Sequence, residues 1–203
     1  MIWRRVLLLP AVALLLVSAG LGEKPQPPLV VVLIGPPASG KSTQADYLKR
    51  KYKIPIISVE ELVANAPGGG PGVRNSWRGD PVLNDLLRKR IETINRDRGF
   101  ALDGYPSTRA QAAYLDKLTR ELHLPSPIII QIHIPDHVVY ERAAHRGGPD
   151  DKPENISRRL AEYHREMDMI RDYYPKANIW TIDGTRPPRG VSATIRLLIE
   201  DRE

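Results

Sequence analysis

Apolar residues fall into two kinds of run that alternate along the chain. Leu29–Ile34 (LVVVLI) and Ile128–Ile134 (IIIQIHI) are short, continuous and β-branched, the pattern of strands buried on both faces. Ile54–Ser58, Phe100–Asp103 and Ile179–Ile182 repeat it more briefly. Between these runs the apolar positions recur at helical spacing. Val82, Leu83, Leu86, Leu87, Ile91 and Ile94 predict a helix over Pro81–Arg98, and Ala112, Leu115, Leu118 and Leu122 predict one over Thr108–Leu122. Helices are also expected over Ser42–Lys51, Glu60–Ala66, Asp136–Ala144 with Asp136 as its cap, Glu154–Tyr174 and Val191–Asp201. Pro67–Gly72 (PGGGPG) interrupts the pattern and reads as a mobile insertion or hinge. Strands alternating with helices imply an α/β fold, with a parallel sheet covered on both faces.

The start of the chain does not share this pattern. Arg4 and Arg5 precede an apolar run from Val6 to Val17, and Ser18, Ala19 and Gly20 follow. A charged start, an apolar core and small residues at the end describe a secretory signal peptide. The run is shorter than the about 20 residues a membrane span needs, and Pro10 interrupts it. Extended to Leu21 it reads as a signal anchor; a start codon called too early is the third reading. The expected organisation is a signal peptide or anchor over residues 1–22, a stiff polar linker over 23–28 and one domain over 29–203. With a real leader the protein is exported, periplasmic or membrane-tethered, and touches membrane only through that segment. Without one it is cytoplasmic.

Composition removes several function classes. A length of 203 residues suits one domain. Cysteine is absent, which excludes disulfides, thiol nucleophiles and thiolate metal sites. The net charge of +6 suits a polyanionic ligand. Aromatic residues are only 6% and acidic residues interleave with the basic ones, which argues against a nucleic-acid partner. His133 and His137 are four apart, but Pro135 lies between them and His133 falls in a strand, so they form no helical zinc pair. Asp150, Asp151 and Glu154 read as salt-bridged charges rather than a paired-carboxylate acid/base site, because Lys152 and arginines flank them.

One motif carries specific chemistry. Gly35-Pro36-Pro37-Ala38-Ser39-Gly40-Lys41-Ser42 fits G-x-x-x-x-G-K-[ST], between a buried strand and a helix. Glycines let such a loop wrap closely around phosphate oxygens, and successive N–H groups form an anion nest. The helix N-terminus adds partial positive charge. Lys41 would reach the terminal phosphates, and the Ser42 hydroxyl would ligate Mg²⁺. This predicts nucleotide or phosphate binding by Gly35, Pro37, Ala38, Ser39, Gly40, Lys41, Ser42 and Thr43. Asp103, ending a strand in Leu102-Asp103-Gly104-Tyr105-Pro106, lies at the sheet edge where ligands bind, placed to hold Mg²⁺ partly through water. Arg142 and Arg146 are four apart on one helix face and suit clamping a polyphosphate.

These segments, GPPASGKSTQA, FALDGYPSTRAQAAYLD, Arg142…Arg146…Asp150-Asp151…Arg159-Leu160…Tyr163 and Ile182-Asp183-Gly184-Thr185, occur in the order found in adenylate kinase and its nucleoside monophosphate kinase relatives. The chain resembles that family over residues 29–201. The resemblance implies a P-loop NTPase-type three-layer sandwich with a five-stranded parallel sheet. It implies an acceptor-binding segment over about 59–98 and a short lid over about 142–151. It further implies that Lys41, Asp103, Arg142, Arg146 and Arg159 carry catalysis with Mg²⁺. Ser58, Gly104, Gln111 and Arg159 would serve the acceptor, with Gln111 reading its base. The implied reaction moves the γ-phosphoryl group of MgATP to AMP or a related nucleotide. The expected partners are small nucleotides, with no nucleic acid, and a monomer is expected.

The sequence departs from the family pattern in four places. Val63 and Ser107 stand where the resemblance implies arginines on the acceptor side, an arginine before the paired aspartates is missing from the Gly148-Pro149 stretch, and Ser42 stands where the family usually has glycine. A charge-assisted contact contributes about 1.5–3 kcal/mol, so losing two costs about 3–6 kcal/mol, or two to four decades of affinity. Arg74, Arg78 and Arg109 are candidate replacements. The departures leave two alternative readings: a non-catalytic nucleotide-binding module, and a P-loop kinase acting on another small acceptor.

Overall fold

The structure is a computed structural model that describes residues 27–67, 81–175 and 178–201. The leader expected over 1–22, most of the PGGGPG break, Arg74 and Arg78 lie outside these residues. Among the described residues five strands form one parallel sheet: β1 (Leu29–Ile34), β2 (Ile56–Ser58), β3 (Gly99–Asp103), β4 (Ile128–His133) and β5 (Ile179–Asp183), in the order β2-β3-β1-β4-β5. Seven helices among the described residues accompany them: α1 (Lys41–Tyr52), α2 (Val59–Ala64), α3 (Pro81–Thr93), α4 (Arg109–Glu121), α5 (Asp136–Arg146), α6 (Pro153–Tyr173) and α7 (Pro188–Glu200).

The alternation within β1 explains why the sheet is covered twice. Val30, Val32 and Ile34 face a core with Phe100, Leu102 and Ile129, completed by residues of α2, α3, α4 and α6. Val31 and Leu33 face a second core with Ala101, Ile130 and Ile132, completed by α1 and α7. Each fully buried Val, Leu or Ile contributes about 1.5–3 kcal/mol. The central strand is therefore set by burial on both faces rather than by propensity. A smaller cluster of Ile134, Val139, Ala143, Ile156 and Leu160 joins α5 to α6. Among the described residues no helix is long and apolar enough to cross a membrane.

Several element ends differ from expectation, each for a local reason. The helix expected to reach Arg98 stops at Thr93, whose hydroxyl donates to the Arg90 carbonyl. Arg96 Nη1 then donates to the Ile91 carbonyl, and Asn95 Oδ1 accepts from Asp97 N at 3.0 Å, an Asx turn. β2 begins at Ile56 rather than Ile54, because Pro55 has no N–H for the ladder. α7 starts at Pro188 rather than Val191, since a missing N–H costs nothing in a first turn. Asp136 does not cap α5: Pro135 occupies that position and Asp136 is the first helical residue, its carboxylate 3.2 Å from His164 Nε2.

The register brings the chemistry to one edge. Leu33 pairs with Asp103 and with Ile130, Ser58 pairs with Asp103, and His133 pairs with Asp183. The carboxyl ends of all five strands therefore lie together. The chain reaches β2 and β3 on one side of β1 and β4 and β5 on the other. Such a switch point opens a ligand-binding crevice.

Candidate active site

The loop after β1 has little freedom. A Cβ at Gly35 would lie 2.7 Å from both the Ile132 carbonyl oxygen and Ser39 Oγ, so no other residue fits without movement. Ala38 and Gly40 take left-handed conformations, with φ of 58° and 94°. This curls the loop before α1 begins at Lys41, with no acidic residue in the first turn to offset the helix dipole. Lys41 Nζ donates to the carbonyls of Gly35 (2.7 Å) and Pro36 (3.1 Å), so the ammonium folds back across the loop. Ser39 is buried and its hydroxyl has no partner among the described residues. Ser42 and Thr43 are exposed beside it. Gln44, one turn on, joins α1 to α7 by accepting from Ser192 Oγ and donating to the Pro188 carbonyl.

Arg142 and Arg146 share a helix but do different work. Arg142 Nη1 donates to the Ala38 carbonyl (3.3 Å) and Nη2 to the Gly184 carbonyl (2.9 Å). It thus ties the loop after β1 to the turn after β5. Arg146 instead forks onto Asp151, with Nε 2.8 Å from Oδ2 and Nη2 on Oδ1, and Gly148 N donates to the same carboxylate at 2.9 Å. The Arg146 hydrogen bond holds the Asp151 carboxyl down at about 2, helped by the Gly148 amide and by the charge of nearby Arg159. The reading of Asp151 as a salt-bridged charge agrees with this geometry. The segment expected as a lid is helical through Arg146, which leaves Gly147–Lys152 as the connection to α6.

On the other side of the crevice, Asp103 ends β3 and Gly104 follows with φ 83°. A cis peptide joins Tyr105 to Pro106. The chain then enters α4, where Thr108 Oγ1 accepts from Gln111 N. Gln111 is 1% exposed. Its Oε1 accepts from Ser107 N (2.8 Å) and Ser107 Oγ (3.1 Å), its carbonyl faces Tyr105 Oη at 3.2 Å, and its Nε2 has no partner among the described residues. Tyr105 Oη also lies 2.7 Å from Asn84 Oδ1 on α3. Ser58 stands beside Asp103 at the start of α2, and Val63 is buried in the core beneath. Arg109 is not available as a substitute grip: it donates to the Asp172 carbonyl and lies over the Tyr173 ring.

The structure thus brings Lys41, Ser42, Thr43 and Arg142 to the loop. It sets Asp103, Gly104, Ser58 and Gln111 along the adjoining strand ends, and Arg146 and Arg159 around Asp151. Sequence reasoning missed Asn84, Tyr105 and the role of Ser107 as partner to Gln111. The one available signal was a polar Asn84 beside the apolar face of α3.

The family model described as adenylate kinase matches residues 74–179, more than half of the chain. An adenylate kinase of Xylella fastidiosa (strain 9a5c) is 35% identical over 162 residues, which cover 73% of this chain and 87% of that protein. An adenylate kinase of Cyanothece sp. is 32% identical over 184 residues, 84% and 94% of the two chains. One from Sinorhizobium medicae is 29% identical over 189 residues, 83% and 98%. Matches of this extent, on a chain whose phosphate loop and glutamine turn flank one sheet edge, mean that it belongs to the adenylate kinase family.

Proposed function

We propose that the protein transfers the γ-phosphoryl group of MgATP to AMP or a closely related nucleoside monophosphate. Membership of the family makes it an ATP-dependent phosphotransferase. The observation that carries the site assignment is the pair of cations on one loop. Lys41 lies over the Gly35 and Pro36 carbonyls and Arg142 over that of Ala38. A polyphosphate entering the loop meets backbone amides, the unpartnered Ser39 hydroxyl and both cations together.

In this reading an oxygen of the acceptor phosphate attacks the γ-phosphorus in line. The bond from that phosphorus to the bridging oxygen breaks, and ADP leaves with the electron pair. No covalent enzyme intermediate forms. Lys41 and Arg142 orient the donor and draw charge from the transferring group, and Arg146 and Arg159 approach it from the Asp151 side. Gln111 positions the acceptor base, with Ser58 and Gly104 lining that side of the crevice. Ser42 and Asp103 supply a hydroxyl and a carboxylate, an all-oxygen set that suits Mg²⁺ shared with substrate phosphates. When bound there, the ion neutralises phosphate charge. Gly147–Lys152 serves as a minimal lid. Residues 1–22 act as an export signal or anchor, which the N-terminal sequence of the mature protein from cells checks.

The test is ADP formation by the purified protein from MgATP with AMP, CMP, UMP, GMP or dAMP. Turnover with AMP is expected, and Lys41→Ala is expected to reduce it by about 3 kcal/mol of transition-state stabilisation, two decades or more. Intact ATP binding with no turnover of any acceptor would sink this reading in favour of the binding module or a non-nucleotide acceptor.

A further inference from the structure

Gln111 is the buried polar side chain on the acceptor side whose bonding is both nearly complete and visibly unfinished. Its amide orientation is fixed by chemistry. The Ser107 backbone N–H can only donate, so the atom 2.8 Å away must be the oxygen of the side-chain amide. Ser107 Oγ donates to the same oxygen at 3.1 Å. An amide oxygen has two lone pairs, and both are now used. Turning the amide over would break both bonds and set Nε2 against the Ser107 N–H. The backbone of Gln111 is held as well, its N–H by Thr108 Oγ1 and its carbonyl by Tyr105 Oη. What remains is Nε2, buried and without a partner among the described residues. Such a buried donor calls for an acceptor, and a ligand in the crevice can supply one.

We propose that Ser107 makes Gln111 a donor-only reader of the acceptor base. The serine hydroxyl occupies the lone pair with which the amide oxygen would otherwise accept from an exocyclic amine. Gln111 then recognises a ring nitrogen that carries a lone pair, as N1 of adenine or N3 of cytosine does. It is blind to the amine beside that nitrogen, and a base presenting N–H at the same place, as guanine and uracil do, meets donor against donor. Ser107 is a positioning residue here, acting through Gln111. The inference rests on the reading that Gln111 faces the acceptor base.

Equilibrium binding by calorimetry, with the full chain and without donor, tests it independently of turnover. The probes are AMP, 1-deaza-AMP, which lacks the N1 lone pair, and purine riboside monophosphate, which keeps N1 and lacks the amine. AMP and purine riboside monophosphate are expected to bind within about threefold of each other, and 1-deaza-AMP about tenfold to a hundredfold more weakly, the cost of leaving a buried donor unpaired. Ser107→Ala keeps the backbone N–H and frees one lone pair, so AMP should gain about three- to tenfold over purine riboside monophosphate. Ser107→Thr should restore the wild-type ratio. A merely structural serine would weaken all three ligands alike and leave the ratio unmoved, and that result overturns the proposal. So does equal binding of AMP and 1-deaza-AMP. Binding of none of the three, with ATP still bound, overturns the underlying nucleotide-acceptor reading and the proposal with it.

Discussion

At Gly35 and Gly40 two different constraints select the same residue. Gly35 is excluded from substitution by contact and Gly40 by conformation, since nothing lies within 4 Å of a Cβ built at Gly40. The two alanine variants should therefore fail differently. Gly35→Ala pushes against the Ile132 carbonyl and should lose about 1–3 kcal/mol of stability, measured by urea denaturation. Gly40→Ala meets only the φ penalty, about 1–2 kcal/mol, and should distort the loop where phosphate binds. Its ATP affinity should fall more than its stability. Asp151 offers a second test at this scale. Its folded carboxyl titrates near 2, below the ordinary range near 3.9, because Arg146 bonds to the ionised form. A group depressed in the folded state stabilises fully above its unfolded value. The contribution of this pair is therefore complete above about pH 4 and is lost as pH falls toward 2. In Arg146→Ala, carboxyl NMR should show Asp151 titrating closer to the ordinary value.

Among the elements, β4 and α6 are joined by an interior polar contact. Gln131, buried in β4, donates to Tyr163 Oη on α6 at 2.8 Å and accepts from Thr181 Oγ1 on β5 at 3.1 Å. Tyr163→Phe leaves the Gln131 amide without its acceptor. The expected cost is about 1–3 kcal/mol in denaturation, with no direct effect on the phosphate loop. α3 is held by apolar contact instead: Leu83, Leu87 and Ile91 are buried on its inner face. Leu87→Ala should destabilise by about 2–5 kcal/mol. The helical period of this segment was legible in the sequence, but its end was not. Thr93 to Asp97 stop the helix through side-chain and turn hydrogen bonds, and periodicity does not register such bonds.

For the molecule as a whole, Arg142 is a side chain that joins three separate parts of the chain at the candidate site. It stands on α5 and holds carbonyls in the phosphate loop and the turn after β5. Arg142 holds the two carbonyls through two separate nitrogens of its planar fork, a geometry that lysine lacks. Arg142→Lys should weaken ATP binding by about tenfold, as one charged hydrogen bond is lost. Amide hydrogen exchange should quicken at both Gly35–Lys41 and Gly184–Arg186, whereas a merely local role would affect one segment.

The amino-acid sequence by itself determined the strand and helix types, the glycine-lysine loop motif of residues 35–42 and the family. Each of these depends on residues adjacent in the chain, through burial period, backbone freedom and charge. It also put Lys41, Asp103 and Gln111 at strand and helix ends, where a parallel sheet gathers its ligands. Tertiary structure decided which partners those side chains take. Arg142 and Arg146 look equivalent on a helix face, yet one meets Ala38, 104 positions away, and the other the neighbouring Asp151. Arg109 reads as a spare phosphate grip and is spent on α6. Ser107 reads as a lost arginine and proves to be bonded to Gln111. Hydrogen-bond partners are fixed by distances that the packed sheet and helices impose, and a one-dimensional pattern of polar and apolar residues does not contain those distances.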